Sequence, residues 1–218
     1  SSVFAGANTA AIGKGEKNQG DWEIISFMDV VAEADGTYTL SGLIRGRKGT
    51  EHNTSNHEIG DYFVLLEENK IYHVPIPEDR ISSWIKYRVV PSGASLQDYT
   101  SLNFYPGAVA LSPYSPVHIT GRRDSSGNLE ISWIRRSRSS IGWNAAGVPL
   151  AEESEQYEID IMDDSTVVRT VTVEDATQYT YTDSDQATDF GSTQSSVVVR
   201  IYQISATMGR GYKAEATI

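Results

Sequence analysis

The chain has 218 residues, 39% of them hydrophobic and 22% charged, with a net charge of −11 and no cysteine. This is the composition of a globular protein long enough to bury a core, and it excludes a disordered, coiled-coil or collagen-like chain, a disulfide framework, a thiolate nucleophile and a zinc–thiolate site. The acidity is spread evenly on either side of Gly107, so neither half offers the positive field that a phosphate backbone needs, and nucleic acid is excluded as a partner.

No apolar run approaches the ~18 residues of a membrane span, so no membrane insertion is expected. Ser1-Ser2-Val3-Phe4 lacks a signal peptide's basic and apolar regions, and the missing initiator Met points to a fragment or a processed chain. Ser and Thr together number 42, beside 18 Gly and 12 Tyr, a mixture that favours strands joined by polar turns. Asp79–Trp84 and Ala94–Thr100 are the short helical candidates.

In chain order, Trp22–Val31 reads as one apolar segment, Ala34-Asp35-Gly36 as a turn, and Thr37–Ile44 as the returning arm of a hairpin. Gly60-Asp61 opens a strand over Tyr62–Leu66, which Ile71–Val74 is expected to pair across Glu67–Lys70, and Ile85–Val90 is a further strand. Together these predict a small β-barrel or β-sandwich over residues 1–108, with the boundary near Pro106 and Gly107. Beyond it the alternation is cleaner. A strand near Val117–Thr120 precedes Leu129, Ile131 and Trp133, which alternate with polar neighbours, as do Tyr157, Ile159 and Ile161. Thr166–Val173, Tyr179–Tyr181, Val197–Ile204 and Lys213–Ile218 complete about seven short strands over residues 109–218, the pattern of an immunoglobulin-like sandwich.

Within that pattern, Pro113 and Pro116 before the first strand, Trp133 on the second, Tyr157 on the third, and Val199-Arg200-Ile201 followed by Gly209-Arg210-Gly211 resemble a fibronectin type III domain. The chain departs from that family where its usual Tyr falls at Val197, where its small Ala falls at Gln203, and in the long loop Ser137–Ser154. Tyr38–Glu51 contains Leu40-Ser41-Gly42-Leu43-Ile44-Arg45-Gly46, then a basic residue and Gly49-Thr50, and is followed by Gly60-Asp61 and an apolar strand. It resembles a motif of the tail-tip proteins of phages and gene transfer agents, large multidomain chains that form the centre of a baseplate. The resemblance implies a C-terminal portion of such a protein, and tail-tip chains commonly carry fibronectin-like modules.

On the residues alone, Arg45, Arg47 and Lys48 lie in a glycine-shaped loop and are either docking cations for a neighbour's carboxylates or solvated turn residues. No Gly-Lys-Ser/Thr follows, so no phosphate-binding loop is expected. His52 and His57 with Glu51, Glu58 and Asp61 are the densest candidate ligands, but the spacing reads as a solvated loop rather than a metal site. Asp183, Asp185 and Asp189 lack a calcium loop's Gly and terminal Glu and read as an acidic, exposed turn. Glu152, Glu153 and Glu155 share a polar loop, where all should stay ionised, unlike a glycosidase pair. His73 and His118 have no ligand neighbours in sequence, and no Gly-x-Ser-x-Gly elbow is present.

Tyr99, Tyr105, Tyr114 and Trp143 are loop aromatics that either stack on a sugar or a protein pocket or cover an end of the sandwich. Arg122, Arg123, Arg135, Arg136 and Arg138 form a basic concentration on a predicted edge. The expectation is a non-enzymatic structural module of a tail tip, without metal or cofactor. Its partners would be other tail or baseplate proteins and copies of itself. An adhesive module for a cell-surface glycan or protein is the alternative.

Overall fold

Two-residue alternation of apolar and polar side chains governs most of the chain, and the elements it makes are strands. The computed structural model describes residues 2–15, 21–139 and 147–218. The chain divides into two units, Ser1–Val109 and Ala110–Ile218.

The first unit contains β1 (Thr9–Gly13), β2 (Glu23–Ser26), β3 (Asp29–Ala32), β4 (Tyr38–Ser41), β5 (Ile44–Arg47), β6 (Tyr62–Leu65), β7 (Ile85–Tyr87) and β8 (Leu102–Phe104). An antiparallel sheet in the order β5-β2-β1-β6 is accompanied by two-stranded ribbons, β3–β4 and β7–β8. The expected hairpin forms as β3–β4. Its turn is closed by Glu33 N–H on Thr37 O at 2.9 Å, and the Asp35 side chain accepts from Thr37 N–H.

Three expectations fail here. Trp22–Val31 is two strands in different sheets, because Phe27 N–H turns to Asn8 O and Met28 N–H to Ser41 O. β6 pairs with β1, from Ala10↔Leu65 to Gly13↔Tyr62, and not with Ile71–Val74, which forms no strand. β1 is short and built on two alanines, so propensity gave no sign that it would supply the ladder. The helical candidates shrink to single 3₁₀ turns at Glu78–Arg80 and Leu96–Asp98. The core of this unit is small: Ala10, Ile25 and Phe27, with Ile12 and Leu40 against them.

The second unit contains β9 (Val117–Arg123), β10 (Leu129–Ile134), β11 (Gln156–Asp163), β12 (Thr166–Glu174), β13 (Gln178–Tyr181), α1 (Asp183–Phe190), β14 (Val198–Ser205), β15 (Gly209–Arg210) and β16 (Ala214–Thr217). A three-stranded sheet, β13-β10-β9, faces one ordered β12-β11-β14, on whose outer edge β14 pairs with β15 and β16. This is the β-sandwich that the fibronectin type III resemblance implies. Core-facing positions alternate along each strand: Leu129, Ile131 and Trp133 on β10, Tyr157, Ile159 and Ile161 on β11, Val199 and Ile201 on β14. The Trp133 and Tyr157 rings meet edge to face, 5.1 Å between centroids. Each such side chain contributes about 1.5–3 kcal/mol by burial, and the ring pair about 0.5–1.5 kcal/mol more.

The acidic stretch near Asp183 is a helix, not an exposed turn. Thr182 caps it, accepting from Asp185 N–H at 3.0 Å, and Gly191 closes it at φ +81°. The helix brings Asp189 to Arg169 (2.6 Å) and to the Tyr181 hydroxyl (2.6 Å), so the acidic stretch is a structural clamp across β12, β13 and α1. Gln186, fully buried, donates to Tyr181 O and Gly127 O and accepts from Arg123.

Candidate functional site

The phase of β2 places Glu23, Ile25 and Phe27 on one buried face, so a carboxylate with no exposed surface sits in line with core residues. Such a charge persists only when paired and hydrogen-bonded. Arg45 on β5 provides a fork, Nε to Oε1 at 2.7 Å and Nη2 to Oε2 at 2.6 Å. Gly46 N–H adds a third bond at 2.6 Å and His57 Nε2 a fourth at 2.7 Å. The other His57 nitrogen lies 3.1 Å from Asp61, which also accepts from Glu58 N–H, and Lys14 reaches Glu58 at 2.9 Å. Gly46 is held at φ +61°, and a Cβ there would fall 2.8 Å from the Glu51 side chain. The Arg-Gly pair of the motif is therefore required on two counts: the guanidinium for its planar fork, the glycine for its conformation and its lack of a side chain.

Burial pushes the Glu23 carboxyl up, but the bonds from Arg45, Gly46 and His57 outweigh it and hold the group below the ordinary glutamate range. Asp61 behaves alike, with burial opposed by His57 and by Glu58 N–H. The cluster ties β2, β5 and the 51–61 segment together.

This arrangement changes the reading of the motif cations. Arg45 spends its guanidinium on Glu23 and on Thr54 O at 2.6 Å, and Arg47 binds Val3 O at 2.7 Å and Ser26 Oγ at 3.0 Å. Both are struts within the unit, Arg45 with its guanidinium partly exposed, while Lys48 stands exposed beside them at φ +58°. His57 is not a solvated loop residue, and its essential partner Glu23 was missed in the sequence. The available signal was its phase: an acid spaced by two from Ile25 and by four from Phe27. Among the described residues no group of three or more His, Asp or Glu is gathered to hold a metal.

The second notable feature of the first unit is uncovered apolar surface. All four residues of β6 are exposed, and among the described residues no strand pairs with its outer edge. Every residue of β3 is exposed too, with Val30 and Val31 beside Tyr38 of β4. All but three of the exposed large apolar side chains among the described residues belong to this unit, the three being Ile134, Val148 and Val167.

The remaining sequence candidates are dispersed. Tyr105 packs on Trp84 with centroids 5.3 Å apart, and Tyr99 follows the Leu96–Asp98 turn, both partly exposed. Trp143 lies outside the described residues. The Arg136 guanidinium covers the Tyr114 ring at 5.0 Å. Arg135 pairs with Glu155 and Arg138 with Glu152, while Glu153 accepts from Ala206 N–H, so these acids and bases satisfy one another within the second unit. Among the described residues no helix is long and apolar enough to cross a membrane.

Residues 1–64 match the family described as Rcc01698-like, C-terminal. No curated protein matches the chain. Among solved structures the chain is similar to domains d3–d4 of the rat CD45 extracellular region, with 10% identity, 87% of this chain and 93% of that one covered, and a TM-score of 0.36. It is also similar to the FN5 domain of Drosophila Lar, with 11% identity, 49% and 94% covered, and a TM-score of 0.30.

Proposed function

We propose that the chain is a structural component of a phage-like tail tip or baseplate, in which the first unit docks on neighbouring proteins or on copies of itself and the second serves as a spacer. The observation that carries this is the distribution of apolar surface. A unit with so small a core, an open edge at β6 and exposed valines and aromatics along β3, β4 and β6 has the surface of a protein completed by association. The second unit, with its filled core and mutually paired surface charges, needs no such completion.

The tail-tip reading is supported by the resemblance of Tyr38–Glu51, which lies inside the stretch matched to the Rcc01698-like, C-terminal family. The role is non-catalytic and the place of action is the virion tail tip, after assembly in the host cytoplasm. Several copies around one axis would add weak contacts through multivalency.

Antibodies raised against residues 110–218 test the proposal on phage-like particles purified from the source organism. Gold label at the tail tip is expected. Particles that lack the chain, or label confined to another part of the particle, overturn it.

A further inference from the structure

The first unit holds a groove of about 960 Å³. Among the described residues, Trp22, Tyr72, Tyr87 and Phe104 line it with their rings, beside the His73 imidazole. Two of them belong to the β7–β8 ribbon, where Tyr87 and Phe104 stand 6.1 Å apart between centroids. Trp22 is held from beneath, because a Cβ on Gly13 would fall 2.9 Å from its ring, so the indole lies on bare backbone. Asn53, itself buried, fixes the adjoining main chain by donating to Trp22 O at 3.0 Å.

Apart from the His73 imidazole, the polar side chains of the described lining are hydroxyls and an amide. Thr100, Ser101 and Asn103 contribute hydroxyls and an amide, and Ser101 Oγ is oriented by Arg88 Nε at 2.6 Å. Among the described residues no Asp, Glu, Lys or Arg lines the groove. A phosphate or carboxylate would find no Lys or Arg among the described lining residues, the Arg88 guanidinium being held on Ser101 Oγ, and would meet a chain of net charge −11. An ammonium group would find no carboxylate among the described lining residues. A wholly apolar occupant would displace water from the amide and hydroxyls without replacing its hydrogen bonds. The chemistry that satisfies both parts is a flat, neutral, amphipathic ligand with C–H faces and hydroxyl edges. The volume lies near the top of the roughly 300–1,000 Å³ range of ligand clefts, enough for more than one ring.

We infer that this groove binds a neutral oligosaccharide, stacked by its C–H faces on Trp22 and Tyr72 and hydrogen-bonded through its hydroxyls to Thr100, Ser101 and Asn103. The site goes beyond the docking role and uses different residues from β6 and from the loop tyrosines Tyr99 and Tyr105.

The test is an array of neutral gluco-, galacto- and manno-oligosaccharides beside uronic-acid and sulfated ones, screened with the full chain. Signals are then titrated by calorimetry with the same sugars free in solution. Binding to a neutral class is expected, weakened at least ~10-fold by Tyr72→Ala, which is about 1.4 kcal/mol. Tyr72 is 83% exposed, so its removal leaves the fold in place, and Tyr72→Phe keeps the stacking face and the binding. Gly13→Ala, which displaces the Trp22 ring, reproduces the loss. Absence of any neutral-sugar signal, a preference for acidic glycans, or binding indifferent to Tyr72→Ala overturns the inference. So does hydroxyl-radical footprinting that finds Tyr72 covered by another protein in assembled particles.

Discussion

In the second unit, the inward positions of β10, β11 and β14 are filled by Leu129, Ile131, Trp133, Tyr157, Ile159, Ile161, Val199 and Ile201, whereas the sheet of the first unit encloses little beyond Ala10, Ile25 and Phe27. The first unit compensates with polar chemistry. Its strands are tied by a buried carboxylate, a guanidinium fork and an imidazole, and its apolar side chains are left on the outside. One chain thus carries a module stabilised by its own interior and another whose apolar surface is left exposed. Alternating sequence alone does not tell the two apart, because it marks which side chains share a face and not whether anything covers that face.

The comparison breaks most visibly at Trp133. Trp133→Ala removes a buried ring from the centre of the sandwich and should cost about 3–5 kcal/mol, read as a lower urea midpoint for the amide NMR signals of β10, β11 and β14 with those of β1 and β2 unmoved. Equal loss in both units would deny that the cores are separate. Glu23→Gln makes the reciprocal cut. It leaves the half-exposed Arg45 beside a neutral amide and should cost the first unit about 1–3 kcal/mol, weakening β1, β2 and β5 while the second unit persists. That substitution should also flatten the acid response. Because the folded Glu23 and Asp61 carboxyls lie below their ordinary values, their stabilisation is whole above those values, about 4, and is lost as pH falls through the folded ones. The urea midpoint of β1 and β2 should therefore hold from pH 7 to about 5 and drop in stronger acid; a midpoint that instead fell on going from pH 5 to 7 would contradict this sign.

Smaller effects sharpen the contrast. The Gln203 side chain is buried in the sandwich with neither amide atom hydrogen-bonded. Gln203→Met keeps the volume and removes the unsatisfied polar atoms, so a gain of about 1 kcal/mol is expected in thermal or chemical denaturation. Leu65→Lys on the open strand should change folding stability by less than about 0.5 kcal/mol, since the side chain is already exposed. It should nevertheless abolish association of the first unit with its partners in co-purification. A large loss of stability from Leu65→Lys would mean that β6 belongs to a core after all.

The sandwich was legible because its strands alternate over long stretches and its turns carry Gly, Asp and Ser at the required places. The helix α1 was not, since its apolar content is only Ala187 and Phe190. Its signature lay instead in the ends, Thr182 with Asp185 three residues on and Gly191 after the last turn. In the first unit the β3–β4 hairpin could be read from Asp35-Gly36, but β1 could not, because Thr-Ala-Ala-Ile-Gly has the composition of a loop as much as of a strand. The carboxylate cluster lay half in view. Arg45, His57 and Asp61 stood out as polar residues of one segment, with Gly46 as its turn glycine, yet the group that organises them comes from a strand twenty-two residues before Arg45, and nothing local in sequence announces so distant a pairing.

That separation gives the Arg-Gly dipeptide a grammar. The acid and the guanidinium form a single structural unit, and lysine cannot stand in for arginine because one ammonium cannot span both carboxylate oxygens and the Thr54 carbonyl. A homologue that keeps the dipeptide while losing the distant acid would leave the Arg45 guanidinium without its carboxylate and β2 without its tie to β5. Paired changes at positions 23 and 45, read across a set of aligned genes, should accordingly trace which lineages retain this tie.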